Sequence, residues 1–144
     1  MSPLSIIVGR FLLGLYFVLP GIMKFTDYER TIAYMQFHEI PFSEPSLVIA
    51  GVTNIVGGLL LMTGRHVKYI AFAFVMYVLA VNLMLHDFWT MEGDAATRET
   101  QNFVKNLGIV AGLLVLAGQA QTRTLQLKGW WRSDIAATRL FARK

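Results

Sequence analysis

Cysteine is absent from all 144 residues, which excludes disulfides, a thiol shuttle, thiolate metal ligation and an iron–sulfur cluster held by this chain's own ligands. Histidine is nearly as scarce. His38, His66 and His86 are too scattered along the sequence to form a metal site or a bis-histidine haem site. No glycine fingerprint opens a strand–turn–helix unit, so a dinucleotide fold is not encoded, and no flavin or other covalently bound cofactor is expected. Charge is also sparse, at 15% of residues, and no pair of intramembrane carboxylates is available for a proton relay.

What the chain has in abundance is apolar length. Its hydrophobic content is 55% and its mean hydropathy +0.51, too apolar for a soluble domain of this size. A hydrocarbon core about 30 Å thick takes about 20 apolar residues per helix. Four segments meet that requirement, at about residues 4–24, 46–63, 67–88 and 103–119. The expected fold is therefore all-α: a polytopic four-transmembrane-helix bundle over residues 1–120, followed by a basic interfacial tail over 121–144. The first segment lacks a preceding basic residue, carries Arg10 within its apolar run and is followed by no small-x-small cleavage site, so it is expected to be a span and not a signal peptide.

Four spans place Arg65, Lys68, Arg123, Lys128, Arg132, Arg139, Arg143 and Lys144 on one side, against Lys24, Arg30, Arg98 and Lys105 on the other. The positive-inside rule then puts both termini in the cytoplasm of a bacterial inner membrane. Every carboxylate except Asp134 falls on the outer side. The basic tail, with Trp130 and Trp131 as interface anchors and a short amphipathic helix after Ser133, reads as attraction to anionic lipid, not to nucleic acid.

Helix periodicity assigns faces. Arg10, Gly14, Phe17, Gly21 and Lys24 share one face of the first span, which should look into the bundle. Arg10 is the one intramembrane charge there. At a helix centre it costs about 2.5 to 3.5 kcal/mol, so it either snorkels to the interface or meets an inward polar partner. Thr26 and Glu29 have the spacing of a capping box for a short helix lying on the outer surface, with Tyr28, Ile32 and Met35 on one face. Pro45 suits the first turn of the second span. That span carries Gly51, Asn54, Gly57 and Gly58 as a small-residue stripe for close packing, with Asn54 the polar residue at that depth.

The outer ends of the third and fourth spans concentrate the chemistry. Asn82, His86 and Trp89 recur at i, i+4, i+7; an acidic loop from Met91 to Thr100 follows; then Asn102, Lys105 and Asn106 open the fourth span above a Gly108–Gly112 pair. With Lys24 ending the first span, the topology gathers Lys24, Asn54, His86, Asp87, Trp89, Asn102, Lys105 and Asn106 as candidate ligand-binding residues. Singly, each lysine reads as snorkelling. Together, donors beside aromatic walls at a membrane boundary suit a quinone head group or another small carbonyl or anionic compound. In such a site Lys105 and His86 would donate to the ligand, Asn106 would orient it, Phe88 and Trp89 would wall it, and Asp87 would exchange a proton with His86.

Arg10, Pro20-Gly21-x-x-Lys24, Tyr34-Met35 before Pro41, the glycine-rich second span ending in Gly64-Arg65, His86-x-Phe88-Trp89 and Phe103-x-Lys105-Asn106 occur in an order that resembles the DoxX family. The resemblance runs from about Arg10 to Gly118 and implies a four-helix integral membrane bundle associated with quinone-linked oxidoreductases. Relatives often carry a glutamate in the second span where this chain has Asn54, so any proton handling by that glutamate would be altered here. The functional expectation is a quinone-linked accessory or membrane subunit, with the bilayer, an oxidoreductase subunit and further copies of the chain as partners. The alternative is a non-catalytic membrane protein that binds a lipid or small solute or organises other proteins. No reaction is assigned to the chain itself.

Overall fold

The computed structural model describes residues 3–120. Five α-helices follow one another: α1 (Pro3–Thr26), α2 (Tyr28–Phe37), α3 (Ser43–Thr63), α4 (Val67–Leu85) and, after a 3-10 turn at Phe88–Thr90, α5 (Gly93–Gln119). No strand occurs among the described residues. Four segments are long and apolar enough to cross a membrane: Leu4–Thr26, Ser43–Thr63, Val67–Thr90 and Gly93–Gln119. At 1.5 Å per residue the 21 residues of α3 extend about 31 Å, the thickness of a hydrocarbon core. Large apolar side chains such as Leu12, Ile49, Met76 and Leu83 are exposed on the outside of the bundle, which suits hydrocarbon rather than water.

The bundle is built from two tightly packed helix pairs, α1 with α3 and α4 with α5. Glycines make the first pair. A Cβ on Gly14 would lie 2.5 Å from the Gly58 carbonyl oxygen, and one on Gly21 would lie 3.1 Å from that of Gly51, so the backbones touch with α1 and α3 antiparallel. Gly57 leaves room for the Phe74 ring of α4, which stacks on Phe17 of α1 at 3.7 Å and joins the two pairs. Leu61, Ala71, Phe74, Leu113 and Ala117 complete this core. A smaller core of Ile32, Met35 and Leu47 seats α2 on α3, using the face that the periodicity of α2 had indicated.

Arg10 is buried, 5% exposed, with its guanidinium packed against Gly64 at the turn that ends α3. Gly64 has φ +72°, the left-handed conformation that ends α3 and brings the Arg65 N–H to the Leu60 carbonyl at 2.8 Å. A side chain there would meet both backbone strain and the guanidinium.

Three local expectations change. The span beginning near 103 belongs to a helix that starts at Gly93, so most of the segment from Met91 to Thr100 is helical and not an acidic loop. Ala95, Ala96 and Glu99 are good helix formers, and Asp94 in the first turn complements the helix dipole. Thr26 and Glu29 do not form a capping box: Thr26 ends α1 with its hydroxyl on the Met23 carbonyl, and Asp27 occupies the N-cap of α2 without a side-chain bond. Gly108 and Gly112 do not bring α5 close to a neighbour, since a Cβ on Gly108 meets nothing within 4 Å and one on Gly112 only Leu13 at 3.8 Å. The tail of residues 121–144 lies outside the described residues.

Candidate functional site

Because the two helix pairs are joined mainly through Phe17, Phe74 and their neighbours, space is left between α1, α4 and α5 toward the end where α1 and α4 finish and α5 begins. A cavity of about 530 Å3 occupies it. Its walls are Tyr16, Phe17 and Pro20 of α1, Tyr77, Val78 and Val81 of α4, and Gly108 and Ile109 of α5. Lys24, Asn54, His86, Asn102, Lys105 and Asn106 also line it. Six of the candidate residues named from the sequence are thus brought to one space. Asp87 and Trp89 are not: Trp89 is 55% exposed and packs edge-on against Phe88 and Phe103. The aromatic wall comes instead from Tyr16, Phe17 and Tyr77.

Amides and phenols form a hydrogen-bonded frame around the cavity. Tyr16 donates its hydroxyl to Oδ1 of Asn106 at 3.0 Å, Asn106 donates from Nδ2 to Oδ1 of Asn82 at 2.8 Å, and Asn82 donates to the Phe103 carbonyl at 3.1 Å. Each buried polar group in this chain of bonds therefore finds a partner, as a low-dielectric interior requires. Asn54 departs from that pattern. It is 2% exposed, its Nδ2 reaches the Tyr77 hydroxyl at a long 3.4 Å, and its Oδ1 has no hydrogen-bond partner. A buried amide oxygen left this way costs about 1 to 3 kcal/mol unless something in the cavity completes it.

Beside the cavity, two histidine–carboxylate pairs close this end of the bundle. His86 Nδ1 lies 2.7 Å from Glu99, which also accepts from Asn102 Nδ2 at 3.2 Å. His38 Nδ1 lies 3.1 Å from Asp87. The expected proton exchange between Asp87 and His86 is therefore not the pairing present, because the early start of α5 carries Glu99 to His86 and the turn after α2 carries His38 to Asp87. Tyr34 of α2 donates to the Leu85 carbonyl at 2.9 Å, satisfying the last turn of α4. Burial, then the neighbouring charges of Glu99 and Asp87, push its phenol up to about 12.

Tyr16, Tyr77, His38 and Glu99 were missed in the sequence. Glu99 had a readable signal, since Glu99, Asn102 and Asn106 recur at i, i+3, i+7 once the helix is extended back to Gly93. Neither tyrosine had one, because a single phenol in an apolar run looks the same whether it faces lipid or a cavity. Among the described residues no group of three or more histidines and carboxylates is arranged to hold a metal ion.

Four apolar helices around a partly open cavity with polar side chains on its mostly apolar wall define an integral membrane protein of the helical-bundle class. The DoxX family model matches residues 5–87, more than half of the chain, and the chain belongs to that family. The match spans α1 to α4 and stops before α5, so Lys105 and Asn106 rest on the geometry above. The chain is 29% identical over 115 residues to the inner membrane protein YphA of Escherichia coli (strain K12), covering 80% of this chain and 82% of YphA. No solved structure matches.

Proposed function

We propose that the chain is a small inner-membrane protein whose cavity takes a quinone head group, serving an oxidoreductase system as an accessory or membrane subunit. The inner-membrane assignment draws on the name of YphA, and both termini are taken as cytoplasmic from the distribution of basic residues. The observation that supports the ligand is Asn54. An amide oxygen without a partner, beside the Tyr77 hydroxyl on the wall of a cavity whose surface is mostly apolar, asks for a small polar group on a mostly apolar body.

The Asn54–Tyr77 pair also suits a ligand that changes between carbonyl and hydroxyl forms. The two ends of an amide can exchange by a flip, and a phenol both donates and accepts. In one orientation Asn54 presents an acceptor to a hydroxyl while donating to Tyr77; in the other it presents a donor to a carbonyl while accepting from Tyr77. Lys24 and Lys105 add donors and positive potential at the same cavity, which favours an oxygen carrying partial negative charge, and His86 lines it beside them.

Titration calorimetry of the detergent-solubilised protein with a tail-less dimethoxy-methyl-benzoquinone tests this reading. Asn54→Leu and Lys105→Met are each expected to weaken binding by roughly tenfold, equal to about 1.4 kcal/mol. Lys128→Met, beyond the described residues, should leave it unchanged. No binding by the wild type, together with no quinone among copurifying small molecules by mass spectrometry, would favour a protein that binds a lipid or solute or organises other proteins.

A further inference from the structure

The cavity has a neighbour on the far side of its Tyr16 and Ile109 wall. A groove of about 600 Å3 runs between α1 and α5, bordered by Gly9, Leu13, Gly112, Val115 and Leu116. Tyr16 and Ile109 line both spaces. Gly108 lines the cavity and Gly112, one helical turn on, lines the groove, so one small-residue face of α5 passes from the first into the second. The groove is open for a physical reason: a Cβ on Gly9 or Gly108 would meet nothing within 4 Å, and α1 and α5 make few contacts of their own.

We infer that the ligand is an amphipathic molecule with a long hydrocarbon tail, and that the α1–α5 groove is its tail site. This rests on the reading of the cavity as a head-group site. From Tyr16 back to Ser5 the groove follows α1 for about 16 Å at 1.5 Å per residue, room for several isoprene units. Its lining is mostly aliphatic side chains and glycines, as a hydrocarbon chain requires; Arg10, midway along this stretch of α1, also borders it, with its guanidinium held against Gly64. The Tyr16 hydroxyl, bonded to Asn106 at the junction, marks the change from polar to apolar lining. An unattached lipid chain or a second copy of the protein could fill an apolar groove, but neither accounts for its lying against the cavity across Tyr16 and Ile109, beside an Asn54 oxygen that lacks a partner.

Two photoreactive probes separate this inference from the reading beneath it. Both are decyl-substituted benzoquinones, one with a diazirine on the ring and one with it at the end of the tail, irradiated with the full chain in lipid nanodiscs. The ring probe is expected to label peptides containing Lys24, His86 and Lys105, and the tail probe those spanning Gly9–Leu13 and Gly112–Leu116. Excess tail-less benzoquinone should suppress both. Gly112→Phe, which fills the groove, should cut groove labelling by the tail probe roughly tenfold and leave binding of the tail-less benzoquinone unchanged by calorimetry, with helix content checked by circular dichroism. Ring labelling at the cavity with tail labels scattered over exposed α4 residues such as Met76 and Leu83 would overturn the tail site alone. Groove labelling that the tail-less compound does not suppress would mark a plain lipid site and overturn it as well. No ring labelling at the cavity would overturn both readings.

Discussion

Asn106 donates from Nδ2 to Oδ1 of Asn82 at 2.8 Å, and this bond between two buried amides ties α5 to α4 directly behind the cavity. It is continued on one side by Tyr16 and on the other by the Phe103 carbonyl, so three helices share one chain of bonds. Between membrane helices such bonds contribute about 0.6 to 2 kcal/mol each. Asn82→Leu is expected to lower unfolding free energy by about 1 to 2 kcal/mol, measured by steric trapping in bicelles. Asn106→Leu should cost at least as much, because it also removes the acceptor of Tyr16. The double variant should cost less than the sum of the two, and additivity within about 0.5 kcal/mol would mean that the amides do not act together.

That bond illustrates what a sequence can carry. The four spans, the inward face of α1 and the glycine stripe of α3 were all legible, since each is a repeat at helical period and burial follows period. Asn82 and Asn106 were visible as polar residues at one end of two helices, but their mutual contact depends on the register between α4 and α5, which periodicity within one helix does not encode. Pairing of His86 with Glu99, and not with adjacent Asp87, fails in the same way. It needed the start of α5 at Gly93, and the polar composition of residues 93–102 hid a helix behind the look of a loop. Membrane spans are recognised by apolarity, so a helix that continues beyond the apolar run is shortened by that criterion.

The contact between α1 and α3 leaves no room for a methyl group. A Cβ on Gly58 would sit 2.6 Å from the Gly14 carbonyl oxygen and 2.7 Å from Val18 Cγ2, so α1 would have to move. Gly58→Ala is expected to destabilise the bundle by about 1 to 3 kcal/mol. Gly108→Ala, where a Cβ meets open space, should be neutral or slightly stabilising through helix propensity. Equal losses for the two variants in the same unfolding assay would show that close approach of α1 to α3 is not what glycine provides at position 58.

Glu99 accepts from both His86 and Asn102, and its removal leaves two groups at the end of the cavity without their partner. Glu99→Ala should therefore loosen the junction of α4 and α5 and raise amide hydrogen exchange through the 3-10 turn at Phe88–Thr90 and the first turns of α5. Glu99→Gln keeps an acceptor of the same shape and should show a smaller effect. Exchange unchanged in Glu99→Ala would mean that this end of the bundle is held by the Phe88, Trp89 and Phe103 rings alone.

Tyr34 connects α2 to the end of α4, and its ionisation reports on that contact. Burial raises its pKa first, and the charges of Glu99 and Asp87 raise it further, to about 12. The sign of the stability effect follows. A folded-state pKa above the ordinary value of about 10 means that the folded chain holds the phenol proton more tightly than the unfolded chain does. Its contribution is therefore complete below about pH 10 and is lost as pH rises through about 12. Tyrosinate absorbance of the wild type minus that of Tyr34→Phe should titrate near the upper end of this window, although 5 tyrosines contribute to the total spectrum. A difference spectrum titrating near pH 10 would mean that the hydroxyl faces water and not the Leu85 carbonyl. Double replacement of Glu99 and Asp87 by glutamine and asparagine should lower the midpoint without returning it fully to the ordinary value, because burial is the larger cause.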